Sequence, residues 1–340
     1  MRKPFFTESP EQSLARAFAE HIVSWARQTR ELDDPVANTL KKAAWQVSMA
    51  VSSGDSCLLL DDLDENGDET DIGIIRQRLF DSGVVGTPDL PGNCPLVLDG
   101  ENRLYLHRYF GYEQTLAECL VRLCQPREID TKLLRPLLDS LFSQNKSDKT
   151  PDWQKMAAAL ALRQSLLIIS GGPGTGKTTT VASLLACILE TSPANRIMLA
   201  APTGKAAKRM LDSISERVDL FPLHMQPAIP KEAFTIHRLL GITDNLANAR
   251  YHRGNPLPCD TLIVDEASML DLALASTLFA ALPENARVIL LGDKDQLAAV
   301  EAGSVFSELS SRFVLSGSCR DDLEALTGYR LTDSELQDAE

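Results

Sequence analysis

Residues 165–178 read SLLIISGGPGTGKT, a short apolar run that breaks into the pattern GxxxxGK(S/T) and then opens a helical stretch. The pattern commits the chain to a strand, a tight loop and a helix in that order. Glycines are needed because backbone N–H groups must turn inward around a phosphate, where side chains would block them. The helix that follows adds a favourable field for an anion at its N-terminus. Gly171, Gly172, Pro173, Gly174, Thr175, Gly176, Lys177, Thr178 and Thr179 are therefore the candidate ATP-binding residues. Lys177 would neutralise the β/γ oxygens, and the Thr178 hydroxyl would ligate Mg2+.

The surrounding grammar agrees. Apolar runs rich in Ile, Leu and Val at 165–170, 196–201 (RIMLAA), 261–266 (TLIVDE) and 287–293 (RVILLGD) alternate with helical stretches, and each ends in Gly, Pro, Asp or Glu. That pattern predicts an α/β fold with a parallel sheet whose ligands sit at the strand carboxyl ends. Before it, Leu14, Phe18, Ile22 and Trp25, then Leu40, Ala44, Val47 and Val51, recur at helical spacing, so the first part is read as mainly helical. Two strand-like pieces, PLVLDG and RLYLHR, and a helical run at 115–123 follow. The polar stretch SQNKSDKTPD at 143–152 is the best linker. The expected division is 1–148, a mainly helical domain; 149–315, a P-loop ATPase domain; and 316–340, an acidic segment that begins a further region.

Other residues fit the same site. Asp265 and Glu266 close an apolar run, so Asp265 is the candidate Mg2+ partner and Glu266 the candidate base for an attacking water. Gln296, in GDKDQ after the next strand, is placed to reach the γ-phosphate or that water. Gln154, in DWQ before the loop, offers an amide able to pair with both edges of adenine. The segment APTGKAA at 201–207 opens a helix bearing Lys205, Lys208 and Arg209, and Thr203 with Lys205 could hold a nucleic-acid phosphate. Asp62 to Asp68 looks like the start of a calcium loop, but its twelfth position is Gly73 rather than Glu, and it is read as a solvated acidic turn.

Composition limits the partners. Taken over the whole chain, the formal net charge of −13 opposes nucleic acid, but its distribution does not. Residues 1–150 carry 17 basic and 24 acidic side chains, residues 151–320 carry 16 of each, and the last twenty carry one Arg and seven acids. A neutral middle segment can still hold a basic groove. Seven scattered cysteines without a CxxC pair argue against a disulfide framework or a cysteine-built metal centre. No stretch is apolar enough to span a membrane, and no signal peptide is read, so a reduced, cytoplasmic setting is expected.

In order, the P-loop, APTGKAA, TIHRLLG at 235–241, VDEASMLDL and LGDKDQLAAVEAG resemble the superfamily 1 DNA helicases of the RecD type, densely from Asp152 to about Gly303. The resemblance implies a RecA-like motor domain and a bacterial, cytoplasmic protein. It also implies an ATP- and Mg2+-dependent motor running 5′→3′ on single-stranded DNA beside RecB and RecC subunits, in exonuclease V. That assembly processes double-strand ends for repair and recombination. By the same resemblance, residues 1–148 dock the partners, and His237 and Arg238 couple DNA contact to the nucleotide site. Such helicases need a second RecA-like domain, so the chain is expected to be half a motor, a fragment or a truncated product. Two other readings stand beside this one: a stand-alone RecD-like helicase, and an assembly module that binds ATP and partners without turnover.

Overall fold

The computed structural model describes residues 8–64, 71–142, 152–172, 175–296, 302–311 and 315–332. These fall into two compact units, Met1–Gln114 with short stretches at 271–273 and 299–303, and Thr115 onward for the rest.

The first unit opens with α1 (Pro10–Thr29) and α2 (Asp34–Ser52). Ser9 and Gln12 form a capping box around Pro10, and Asp33 accepts from Val36 N–H, so both helices start where their caps dictate. The buried stripe of α1 is Ala15, Ala19, Ile22, Val23 and Ala26, whereas Leu14 and Trp25 are exposed. Alanines let α1 and α2 approach closely, which turns the helix about one position away from the large apolar residues. A small sheet follows, built from β1 (Leu58–Leu59), β2 (Val85–Gly86), β3 (Leu96–Leu98) and β4 (Arg103–Leu106), with α3 (Ile72–Asp81) before β2. Its order is β1-β4-β3-β2. The β3–β4 hairpin is tied by Asp99, whose Oδ1 accepts from the N–H groups of Glu101 and Arg103 and whose Oδ2 accepts from Arg103 Nε at 2.7 Å. Helix α4 (His107–Leu123) runs on into the second unit.

The second unit is the expected parallel sheet. Its strands are β5 (Leu166–Ser170), β6 (Ile197–Ala201), β7 (Ala233–Thr235), β8 (Thr261–Val264) and β9 (Arg287–Gly292), in the order β5-β9-β8-β6-β7, all parallel. Strands β8 and β9, apolar apart from Thr261 and Arg287 at their starts, are buried throughout because they lie inside the sheet with both faces covered. Strand β7 was not legible, since three residues make no pattern. The helices are α5 (Thr131–Leu141), α6 (Trp153–Arg163), α7 (Lys177–Thr191), α8 (Gly204–Ser215), α9 (Ile236–Leu240), α10 (Leu272–Ala280), α11 (Val305–Ser310) and α12 (Gly317–Thr327).

Leu134 and Leu138 of α5, Leu160 of α6, Leu184 and Ile188 of α7, and Leu323 and Leu326 of α12 share one core with Ile263 and Ile289 of the sheet. Thus α5, which lies before the polar stretch at 143–152, packs with the parallel-sheet unit. The acidic segment does so too as far as it is described. Asp322 on α12 pairs with the buried Arg163 at 2.6 Å, and Lys155 Nζ reaches both Asp139 (2.6 Å) and the Thr327 carbonyl (3.0 Å). Residues 143–151 of the expected linker and 333–340 of the acidic segment lie outside the described residues, as do 65–70 of the acidic turn.

Candidate nucleotide site

Because every strand of the large sheet is parallel, all five carboxyl ends open on one edge, and each sequence candidate after a strand is carried there. Gly171 and Gly172 leave β5, with Gly171 N–H bonded to Gly292 O at 3.1 Å, so the loop is anchored on the neighbouring strand. Gly176 caps α7 with φ of 88°, in the left-handed region that glycine tolerates. A glycine offers no side-chain cap, which leaves the first-turn N–H groups of α7 available to an anion. Lys177 Nζ turns back onto the carbonyls of Gly171 and Gly172, the latter at 3.3 Å. Pro173 and Gly174 lie outside the described residues, as do the side chains of Thr178 and Thr179, whose backbone lies in the first turn of α7.

Lys177, Asp265, Glu266 and Gln296 line one cavity with Arg209, Ser268 and Asp293. Its walls are Val181, Met210 and Leu291. Asp265 Oδ1 accepts from Glu266 N–H at 2.9 Å. Burial pushes the Asp265 carboxyl above its usual range; the Glu266 carboxylate adds to that, while the Glu266 N–H bond, Lys177 and Arg209 pull it down. Glu266 has φ of 52°, one of two non-glycine residues with positive φ among those described. Its Oε1 accepts from Arg209 Nη2 at 3.0 Å. Gln154 comes to the same place by another route. Asp152 caps α6 by accepting from Gln154 N–H and Lys155 N–H. The Gln154 side chain then lies over the loop, with Nε2 2.5 Å from where a β-carbon on Gly176 would stand.

These residues fit a nucleotide triphosphate with a divalent cation. The loop offers open helix N–H groups and an ammonium to the anion, and the opposite wall offers carboxylates to a cation. Ser268 Oγ, buried on the cavity wall, has no partner among the described residues. Asp293, Arg209 and Ser268 were not singled out for this site from sequence. Asp293 was visible in GDKDQ beside Gln296, and Ser268 in DEAS. Arg209 reads as an ordinary basic residue on a helix face, and only the fold turns it towards Glu266.

The nucleic-acid candidates lie further along the edge. Thr203 caps α8 by accepting from Ala206 N–H, and Lys205 is exposed on its first turn. Strand β7 pairs with β6 so that Thr235 stands beside Ala201. His237 and Arg238, both exposed, follow on α9, and the Arg238 guanidinium lies 5.4 Å above the Phe234 ring. Lys205, His237 and Arg238 thus share the edge but not the cavity.

The AAA domain family matches residues 154–302, which hold all of the cavity. The RecBCD enzyme subunit RecD of Haemophilus influenzae is 44% identical over 208 residues, covering 58% of this chain and 32% of that protein. The same subunit of Mycolicibacterium smegmatis is 35% identical over 311 residues, covering 87% of this chain and 54% of that protein. The ATP-dependent RecD2 DNA helicase of Deinococcus radiodurans is 36% identical over 217 residues, covering 60% of this chain and 26% of that protein. The chain spans about half the length, or less, of the curated relatives it matches. No helix among the described residues is long and apolar enough to cross a membrane.

Proposed function

We propose that this chain, which is similar to RecD subunits and carries motifs in the order of the superfamily 1 helicases, supplies the ATP-hydrolysing site of a DNA helicase subunit. The reading is carried by the convergence of Lys177, Asp265, Glu266 and Gln296, from three strand ends, on one cavity beside an uncapped helix N-terminus. Bound ATP with Mg2+ supplies the phosphoanhydride whose cleavage drives movement along DNA. Lys177 exchanges its loop carbonyls for phosphate oxygens. Asp265 and the Thr178 hydroxyl would hold the cation, whose charge would favour the ionised form of the buried Asp265 carboxyl. Glu266 takes the proton of the attacking water, and Gln296 orients that water or reads the γ-phosphate. Gln154 lies over the end of the loop at Gly176, where it can meet the adenine. Thr203, Lys205, His237 and Arg238 hold the single strand along the sheet edge.

By the same reading the motor moves 5′→3′ within a RecB–RecC–RecD assembly that processes double-strand breaks in a bacterial cytoplasm, and residues 1–148 dock the partners. The test is steady-state ATP hydrolysis with and without single-stranded DNA, comparing wild type with Lys177→Ala. The expected outcome is weaker ATP binding and loss of DNA-stimulated turnover in the variant. Turnover unchanged by Lys177→Ala would overturn the assignment. A second reading, a helicase acting without RecB and RecC, is favoured by the 36% identity to the RecD2 helicase. Co-purification of two large partners from the native source separates the two.

A further inference from the structure

The proposed base does not stand free. Glu266 Oε1 is held by Arg209 Nη2 at 3.0 Å, and the Arg209 side chain is 65% exposed against 27% for Glu266. The pair fixes the direction of one carboxylate oxygen while Oε2 keeps its lone pairs, so what Arg209 restrains is the orientation of the base. The left-handed backbone at Glu266 sets the direction in which the side chain leaves the strand end. Arg209, by contrast, is a long exposed side chain on a helix surface.

The position of Arg209 on α8 is what gives the pair a second role. Helix α8 buries Ala206, Ala207, Met210 and Ile214, leaving Lys205, Lys208 and Arg209 outward. Lys205 and Arg209 are four residues apart, so they are neighbours on one helix face, about 5–6 Å between β-carbons. Lys205 sits in the first turn, two residues after the Thr203 cap, at the loop proposed to take a nucleic-acid phosphate. A phosphate seated at Thr203 and Lys205 therefore lies within reach of the guanidinium that Glu266 holds. Arg209 has two anions to choose between, the base and the backbone of the strand.

We propose that Arg209 is a positioning residue that restrains Glu266 until a nucleic-acid phosphate at the start of α8 draws the guanidinium away, so that DNA occupancy releases the base. The inference rests on the ATPase reading given above and adds to it the route by which DNA stimulates turnover. Competition for one guanidinium is reciprocal: whatever loosens Glu266 from Arg209 strengthens the DNA contact, and the reverse.

Two measurements on the purified protein, in its native assembly where it has one, test this. The first is single-stranded oligonucleotide affinity, by fluorescence anisotropy, for wild type, Glu266→Gln, Arg209→Ala and the double variant. Glu266→Gln is expected to tighten binding by about fivefold, the size of one released exposed ion pair, and to have no such effect when Arg209 is already alanine. No tightening, or equal tightening in both backgrounds, overturns the proposal, since the second would be loss of charge repulsion alone. The readout needs no turnover and does not pass through the nucleotide. The second is ATP turnover. Arg209→Ala is expected to raise the DNA-free kcat by about fivefold at unchanged KM for ATP and to lower the ratio of DNA-stimulated to free rate. Arg209→Lys, which keeps the charge without the fork, should fall between. A raised KM for ATP, or a DNA-free rate that falls or stays constant, would show that Arg209 serves the phosphate or the fold instead. If wild type shows neither oligonucleotide binding nor Lys177-dependent hydrolysis, the ATPase reading itself fails and takes the restraint with it.

Discussion

Gly176 concentrates several demands on one backbone position. Its φ of 88° is costly for any residue with a β-carbon, its carbonyl accepts from Thr180 N–H, and its missing side chain leaves the start of α7 open. Gly176→Ala is expected to cost about 1–2 kcal/mol from the left-handed backbone and to push Gln154 off the loop, since the new β-carbon would meet Nε2. Urea unfolding followed by circular dichroism measures the first, and titration with a fluorescent ATP analogue the second. Stability and affinity both at the wild-type level would show that the loop has another resting shape. At Glu266 the same backbone region holds a charged residue rather than glycine. Placing a carboxylate in a disfavoured conformation is common where chemistry fixes the side chain.

Among the elements, α12 shows how little charge says about burial. The run SCRDDLEALT carries three acids, yet Cys319, Leu323 and Leu326 face inward at helical spacing and pack against α5 and α6. The acids point outward, except that Asp322 neutralises Arg163, of which 9% is exposed. Asp322→Ala leaves that guanidinium buried without its partner. It should destabilise the second unit by about 2 kcal/mol or more, seen as a lower urea midpoint, whereas Asp321→Ala at the neighbouring position should have little effect. A second tie joins strands: Arg196, before β6, binds Asp260, before β8, through Nη2 at 2.7 Å and Nε at 3.0 Å. The Arg196 side chain and N–H hold the Asp260 carboxyl down at about 2. A carboxyl lowered by folding stabilises above its unfolded value near 3.8 and loses that contribution as pH falls towards 2. Asp260→Asn should therefore lower the unfolding midpoint at pH 7, and the gap to wild type should close between about pH 4 and pH 2. A gap that stays constant with pH would assign the difference to packing.

Over the whole molecule, a net charge of −13 coexists with a carboxyl edge that presents Lys205, His237 and Arg238. Few phosphates can be engaged, so oligonucleotide binding should weaken with salt along a shallow log–log slope. For three contacts, from Lys205, Arg238 and the released Arg209, at about 0.7 each on a single strand the slope is about −2, and Lys205→Ala should reduce its magnitude by about 0.7. A slope near zero would mean that the edge does not meet the DNA backbone. The parallel order β5-β9-β8-β6-β7 is what makes that edge possible, because it lines up five strand ends whose loops are scattered from 171 to 296 in the chain.

Sequence alone determined the parts with local causes. The P-loop was legible because glycine, lysine and hydroxyl are needed at set spacing, and the buried strands because residues covered on both faces are mostly apolar. The carboxylates after β8 and Gln296 after β9 were legible because a strand end in a parallel sheet faces the ligand. Which apolar face α1 buries was not, since alanine contributes little to a periodicity and much to close packing. Nor was the place of α5 and α12 in the sheet unit, because burial there is set by distant partners such as Leu138 and Leu326 in one core. The pairing of Arg209 with Glu266 is the clearest case. The two are 57 residues apart, and nothing in either local pattern refers to the other. Only the sheet, by setting β6 beside β8, brings the helix after one against the end of the other.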